Sequence, residues 1–217
     1  MKLENLKINI LGDSITEGYD ASEPDRIFWR LLTVRDHAVT RGYGIAGTRI
    51  ARQLVPSAEP MFDLYFGSRV KDMDPDADVV LVFGGTNDYG HGDAPMGKMT
   101  DRTVDTFYGA LHCLYQSLLR KYPDAQIVPM TPLHRQDEHR VVNEIGVRNV
   151  GCLGDYVKAI REVAEYYALP VLDLYACSGI EPEETFLRER YTSDGLHPND
   201  AGHEKLYRVL RKFLLAL

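Results

Sequence analysis

Short apolar segments recur along this chain, and segments with a helical spacing of apolar residues separate them. We predict five strands, at residues 8–11, 39–43, 78–83, 125–130 and 169–174. Most of these segments are predominantly apolar rather than apolar at alternate positions only, which is typical of parallel sheets covered on both faces. The pattern therefore predicts an α/β fold.

The intervening segments carry apolar residues at spacings of three and four, like the buried face of a helix. We predict helices at residues 103–120 and 149–167, a short helix around 28–32, and a last helix that runs to Leu217. Strands and helices in alternation pack as layers. We predict a three-layer α/β/α fold with a flavodoxin-like five-stranded parallel sheet, and residues 1–217 as a single domain.

A serine lies between the first predicted strand and the helix after it, in Gly12-Asp13-Ser14-Ile15-Thr16-Glu17-Gly18. The flanking glycines let the backbone turn sharply, and N–H groups at the start of the helix point back towards the serine. Gly-Asp-Ser is also ordinary turn composition. This segment alone therefore leaves a structural role open.

An aspartate and a histidine stand three residues apart near the other end of the chain, in Asp194-Gly195-Leu196-His197-Pro198-Asn199. A serine hydroxyl becomes a nucleophile when a base removes its proton, and histidine titrates in the right range. An aspartate fixes the tautomer of that base and stabilises the imidazolium. Ser14, Asp194 and His197 are therefore the candidate catalytic residues.

Two glycine-rich segments follow other predicted strands: residues 42–48 contain Gly47, and residues 84–88 contain Asn87. A glycine N–H and an asparagine amide are suitable donors for the oxyanion of a tetrahedral intermediate. Each segment alone is more often a plain loop, because glycine-rich turns after strands are common in α/β proteins. All the candidate residues follow carboxyl ends of strands, where open parallel sheets bind ligands, so together they favour one active site.

The ordered set of motifs resembles the conserved blocks of the SGNH hydrolases, also called the GDSL lipase/esterase family. Ser14 matches the serine of block I, Gly47 the glycine of block II, Asn87 the asparagine of block III, and Asp194 and His197 the Asp-x-x-His of block V. The resemblance spans residues 8–199. It implies a Ser-His-Asp ester hydrolase with an oxyanion hole formed by the Ser14 N–H, the Gly47 N–H and the Asn87 side chain.

The sequence departs from the family pattern at the start of block II, where Gly42 stands in place of the usual asparagine. We therefore expect the loop that carries Gly47 to be held differently. The sequence has no Gly-x-Ser-x-Gly segment, so the nucleophile elbow of the α/β-hydrolases does not fit it.

Two long segments at the same rim, residues 131–148 and 175–193, are predicted to be loops that shape a substrate pocket. His91 follows the Asn87 segment and is the best-placed candidate to line it. Further pocket candidates are Asp13, Asp88 and His134. The acids and histidines show no metal-ligand spacing, so we expect neither a metal nor a cofactor.

Lys and Arg total 25 against 32 for Asp and Glu, a formal charge of −7. This balance argues against nucleic acid or an anionic membrane surface as the main partner. The three cysteines are scattered, which fits a reducing compartment. With neither a transmembrane run nor a signal-peptide core, we expect a cytoplasmic protein with a small-molecule ester as its partner. Its oligomeric state stays open.

The expected function is hydrolysis of carboxylic esters by a serine esterase, with short acyl groups such as acetyl on a carbohydrate or small metabolite. A lysophospholipase or thioesterase of the same family is the nearest alternative. A different class of function is a non-catalytic module that binds carbohydrate or phosphate. Asp13 and Glu17 oppose phosphate binding at the first loop because they repel an anion.

Overall fold

The computed structural model describes residues 1–147 and 151–217. Its strands are β1 (Lys7–Gly12), β2 (Val39–Gly44), β3 (Val79–Phe83) and β4 (Gln126–Met130). Its helices are α1 (Ser14–Glu17), α2 (Arg30–Asp36), α3 (Phe66–Arg69), α4 (Thr86–His91), α5 (Phe107–Lys121), α6 (Leu153–Tyr166), α7 (Leu174–Cys177), α8 (Thr185–Tyr191) and α9 (Asp200–Ala216). Short 3-10 turns lie at Pro24–Arg26, Pro60–Asp63 and Val70–Asp72.

The four strands form one parallel sheet in the order β2-β1-β3-β4. The register pairs Gly12 with both Gly44 and Phe83, and Phe83 with Met130. The carboxyl ends of all four strands are therefore level, and the segments that follow them emerge at one edge of the sheet.

Helices cover both faces of this sheet. Along β3, Val79, Leu81 and Phe83 belong to the apolar cluster on the side of α2 and α9. Val80 and Val82 belong to the cluster on the side of α5 and α6. Alternate residues of a strand point to opposite faces, so a strand that is apolar at every position is buried on both. The predicted parallel α/β fold in three layers is confirmed.

The fifth predicted strand, at 169–174, is reduced to one parallel bridge between Leu172 and Met130. The bridge places this segment beside β4, as in the flavodoxin-like strand order 2-1-3-4-5. A helix follows at once, because Asp173 caps α7 by accepting the N–H of Ala176 at 3.3 Å. Among the described residues, the regularly paired sheet therefore contains four strands.

Capping residues place the starts of two helices at positions that differ from those predicted from the apolar periodicity. Thr106 accepts the N–H of Gly109 at 3.2 Å, so α5 begins at Phe107 rather than at residue 103. Asp155 accepts the N–H of Cys152 at 2.9 Å, and α6 begins at Leu153. The predicted start of that helix, at 149–150, lies outside the described residues, as does the last residue of the segment 131–148. Segment 175–193, predicted as a loop, contains α8.

In the described part of the chain, each helix is too short or too polar to cross a membrane.

Candidate active site

Ser14 is the first residue of α1 and stands two residues beyond the end of β1. The Asp13 carboxylate accepts the N–H of Ile15 at 3.1 Å and so caps this helix. Only glycine fits at position 12, because a Cβ there would lie 1.9 Å from Oγ1 of Thr16. The tight turn places the serine hydroxyl at the carboxyl edge of the central strand.

Ser14, His197 and Asp194 form a continuous chain of hydrogen bonds. Oγ of Ser14 lies 3.0 Å from Nε2 of His197, and Nδ1 of His197 lies 2.7 Å from Oδ2 of Asp194. The other carboxylate oxygen of Asp194 accepts the backbone N–H of His197 at 2.7 Å. The aspartate therefore orients both the ring and the backbone of the histidine, which is the geometry of a nucleophile, a base and an orienting carboxylate.

The environment of Asp194 favours its ionised form. Partial burial of this carboxyl opposes ionisation, but the hydrogen bonds from the backbone and the ring of His197 outweigh it, and the net effect lowers the pKa of Asp194. A carboxylate that stays charged can stabilise an imidazolium on His197.

Gly47 and Asn87 lie beside the serine and offer hydrogen-bond donors. Gly47 has a φ of +74°, and a Cβ there would lie 2.7 Å from the Phe62 ring. One N–H of the Asn87 amide donates to the carbonyl of Thr48 at 3.0 Å. Since an amide NH₂ has two donors, this bond orients the side chain and leaves the second N–H for a ligand.

A cavity of about 440 Å³ opens at this edge of the sheet. Its described lining consists of Ser14, Tyr19, Ala46, Gly47, Arg49, Ser57, Phe62, Asn87, His91, Arg135, Glu144, Ile145, Leu196 and His197. Four of the five residues predicted for catalysis and the oxyanion hole are in this lining, and the fifth, Asp194, lies behind His197. The volume is that of a pocket for a small organic ligand.

The sequence matches the profile of the GDSL-like lipase/acylhydrolase family over residues 10–205. The chain belongs to this family.

Solved structures agree with this assignment. One is 32% identical with a TM-score of 0.85 and covers 100% of this chain and 99% of its own. A protein from Lactobacillus plantarum is 30% identical with a TM-score of 0.82 over 98% of each chain. A lipase/acylhydrolase from Enterococcus faecalis, at 21% identity and a TM-score of 0.64 over 96% of this chain and 95% of its own, shares the fold. Among curated proteins, none matches the sequence.

The structure shows why this GDSL-family chain carries glycine at position 42. A Cβ there would lie 2.3 Å from the indole ring of Trp29, so the strand can approach that ring only with glycine. The loop that carries Gly47 is held by other residues. Glu17 accepts the N–H of Ala46 at 2.6 Å, and Arg69 donates to Oγ1 of Thr48 at 2.9 Å.

Asp88 holds the end of the same loop. Its two carboxylate oxygens accept the N–H groups of Ile50 at 3.0 Å and Ala51 at 2.8 Å. Burial raises the pKa of Asp88 to about 6, and it raises the pKa of Asp13 to about 7. Both carboxylates point to backbone N–H groups and lie outside the cavity lining, so their place in the structure differs from the predicted pocket wall.

His134, the third of these pocket candidates, also lies outside the cavity lining. Its Nδ1 is 3.0 Å from the carboxylate of Glu138, and its ring lies against Tyr175 with centroids 3.7 Å apart. The hydrogen bond with Glu138 raises the pKa of His134. His134 therefore belongs to a polar cluster with the buried Glu138 carboxylate and Tyr175.

His91 does line the cavity, as predicted, and with it several residues that sequence reasoning did not assign to the site. Arg49 and Phe62 come from the loop after Gly47, and Glu144 and Ile145 come from segment 131–148. Their sequence signal is weak because arginines and apolar residues occur in many surface loops. Only the packing of these loops brings them to the cavity.

Asp20, Asp194 and His197 place three potential metal-ligand atoms within 4.8 Å of one another. Both ring nitrogens of His197 are already hydrogen-bonded, to Ser14 and Asp194. Asp20 accepts a hydrogen bond from the hydroxyl of Ser193. A metal on His197 would have to displace the serine or the aspartate, so these donors suit the hydrogen-bonded triad better than a metal.

Proposed function

We propose that this protein is a serine esterase that hydrolyses carboxylic esters through an acyl-enzyme, with Ser14, His197 and Asp194 as its catalytic triad. The observation that carries the proposal is the pair of contacts at 3.0 and 2.7 Å that joins the three side chains. A binding role for the cavity does not require this order of nucleophile, base and carboxylate.

In the first step, Nε2 of His197 takes the proton of the Ser14 hydroxyl as Oγ attacks the ester carbonyl carbon. The charge on the carbonyl oxygen is stabilised by the N–H groups of Ser14 and Gly47 and by the Asn87 amide. Removing one such donor typically costs about 2.7–4 kcal/mol of transition-state stabilisation. The imidazolium is stabilised by Asp194.

His197 then gives its proton to the leaving alcohol, and the C–O bond to the alcohol breaks. In the second step, His197 removes a proton from water, whose oxygen attacks the acyl-enzyme. The intermediate collapses, the serine oxygen recovers its proton from His197, and the carboxylic acid leaves.

We propose short acyl groups, acetyl in particular, on a carbohydrate or other small metabolite as the substrate class. Small ester substrates are consistent with the family, and the mostly apolar wall of the cavity of about 440 Å³ carries polar side chains such as Asn87, His91 and Arg49. A lysophospholipase or thioesterase of the same family is the alternative among enzymes. The three cysteines are unpaired, which suits a cytoplasmic location.

The alternative from another class is a non-catalytic module that binds carbohydrate or phosphate. The first loop offers little to phosphate, because Asp13 caps α1 and Glu17 accepts the N–H of Ala46. No described structural feature favours carbohydrate binding without catalysis.

Hydrolysis of p-nitrophenyl acetate, butyrate and octanoate by the wild type and Ser14→Ala tests the proposal. We expect the acetate to be cleaved best and the variant to be inactive. Labelling by a fluorophosphonate gives a second readout, since only an activated serine reacts. If the wild type neither cleaves the esters nor becomes labelled, the proposal that it is an esterase is refuted.

A further inference from the structure

The cavity lining carries two arginines, Arg49 and Arg135, and one glutamate, Glu144. Arg135 and Glu144 form an ion pair at 2.6 Å, so their charges offset each other. The partners of Arg49 in the described structure are uncharged: the carbonyl of Phe62 at 2.8 Å and the ring of His91 at 2.9 Å. The lining is therefore more positive than the rest of a chain whose formal charge is −7.

Carboxylates near Arg49 are occupied elsewhere. Asp88 accepts the N–H groups of Ile50 and Ala51, and Asp93 accepts those of Leu54 and Val55. Asp63 binds the backbone N–H and hydroxyl of Ser57. These three acids reduce the field of the arginine but lie outside the cavity lining, where a ligand would meet Arg49 and His91.

Arg49 fixes the tautomer of His91. A guanidinium only donates hydrogen bonds, so Nδ1 of His91 must accept the bond from Nη2 and the ring proton must be on Nε2. Burial, together with the charge of Arg49, lowers the pKa of His91 to about 4, which keeps the ring neutral. Arg49 itself is only 5% exposed and is held in place by Phe62.

Within residues 1–147 and 151–217, the Nε2–H of His91 has no hydrogen-bond partner. Nε2 is not one of the fully buried side-chain atoms without a partner, so it is at least partly accessible to solvent. His91 lines the cavity, which places this donor at the cavity wall. The bond that Nδ1 accepts polarises the ring and strengthens the donor.

The position of His91 relative to the oxyanion hole follows from α4. Asn87 and His91 are four residues apart on this helix, so both side chains project from the same face. Their Cβ atoms are separated by about 5–6 Å, or one helical turn. A substrate with its carbonyl oxygen at Asn87 therefore places a group one turn away against His91.

We propose that His91, held by Arg49, selects esters that carry a carboxylate about one helical turn from the scissile carbonyl. This inference rests on the proposed esterase function and narrows its substrate class. A carboxylate accepts the Nε2–H and is attracted by Arg49, whose hydrogen-bond partners are uncharged, whereas an alkyl group of the same size leaves the donor desolvated and unpaired. Arg49 is a positioning residue in this assignment.

The carboxylate belongs either to the acyl group or to the alcohol, and two matched pairs of esters separate these sources. For the acyl side, mono-p-nitrophenyl glutarate is compared with p-nitrophenyl pentanoate. For the alcohol side, 3-carboxyphenyl acetate is compared with phenyl acetate. In one pair we expect kcat/KM of the wild type to be at least tenfold higher for the charged ester.

Variants test whether this preference comes from His91. His91→Phe and Arg49→Met are expected to reduce the charged-to-neutral ratio of kcat/KM about tenfold, whatever their absolute rates. His91→Gln retains an acceptor for Arg49 and a donor for the cavity, so it should keep most of the ratio. His139→Phe is the matched control, because the His139 side chain is 73% exposed and lies outside the cavity.

A wild type that cleaves neutral esters at least as well as the charged ones overturns the inference and leaves the esterase intact. A preference that persists in both His91→Phe and Arg49→Met also overturns it. If the wild type cleaves none of the four esters, fluorophosphonate labelling decides the proposed function, and titration of Ser14→Ala decides the inference separately. The His91 imidazole resonances should then shift with mono-methyl glutarate or 3-carboxyphenyl acetate, and unchanged resonances with both would refute it.

Discussion

His197 and His91 line the same cavity, and their Nδ1 atoms are bound by side chains of opposite charge. Asp194 lies 2.7 Å from Nδ1 of His197, and Nη2 of Arg49 lies 2.9 Å from Nδ1 of His91. A carboxylate stabilises a protonated imidazole, whereas a guanidinium opposes it. His197 is therefore suited to take a proton from Ser14, and His91 is suited to remain neutral and donate.

The two partners also differ in their distance along the chain. Asp194 precedes His197 by three residues, within one turn of backbone, whereas Arg49 is 42 residues from His91. The same type of side chain thus acquires two roles in one cavity, one from a local motif and one from packing of the loop after β2 on α4. Exchanging or removing the partners tests how far this contrast holds.

The largest effect is expected from His197→Ala, which removes the base. We expect kcat/KM for p-nitrophenyl acetate to fall by about 10⁴–10⁶-fold, since a serine without its base is a poor nucleophile. His139→Ala is the control for loss of an exposed imidazole and should keep wild-type activity. Retention of more than a tenth of the activity in His197→Ala would contradict the triad.

Asp194→Asn is expected to lower kcat by about 10³–10⁴-fold, because the amide no longer stabilises the imidazolium or holds the productive tautomer. Steady-state kinetics on the same ester measure the effect. Asp20→Asn is a matched control, since Asp20 also lies close to His197 but has no hydrogen bond to its ring. Equal losses in the two variants would mean that the general negative charge around His197 matters, and not the specific bond from Asp194.

Asp88→Asn should lower kcat by about 10–100-fold with a smaller change in KM. The amide can accept only one of the two N–H groups that the carboxylate binds, so the loop that carries Gly47 loses part of its support. Asp93→Asn is the control, because Asp93 binds the N–H groups of Leu54 and Val55 in the same way, further from Gly47. A KM effect alone in Asp88→Asn would argue against a role in holding the oxyanion hole.

The smallest effect concerns the pH dependence of stability. The pKa of His91 is lowered to about 4 in the folded protein, so between about pH 6.5 and 4 the unfolded chain binds a proton that the folded chain does not. This proton makes the free energy of unfolding fall as the pH falls through that window. Allowing for partial exposure of His91, we expect its share of that fall to be about 1 kcal/mol.

Urea unfolding at pH 7 and pH 4.5 measures this share. His91→Gln should lose less stability than the wild type between the two pH values, whereas His139→Gln should match the wild type. Parallel pH profiles of wild type and His91→Gln would show that the ring titrates normally, and the contrast with His197 would then lose its basis.

The side chains that we propose to be catalytic could be placed from the sequence because their positions depend on short-range rules. Parallel strands end at one edge, so residues that follow β1, β2 and β3 meet there. Asp194 and His197 meet because a tight turn at Gly195, with φ of +83°, separates them. Strand composition, glycines at turns and a three-residue spacing are all properties of the chain itself.

The tertiary structure decided the features that depend on contacts distant in sequence. Asp88 points to the backbone of Ile50 and Ala51, and the fifth strand is reduced to the bridge at Leu172. Arg49 reaches His91 only because the loop after β2 packs on α4. An arginine and a histidine 42 residues apart have no periodicity or spacing that links them. The charged partner of His197 is therefore a near neighbour in the sequence, whereas the charged partner of His91 is brought to it by folding. In each case the partner determines the role that we propose for the imidazole.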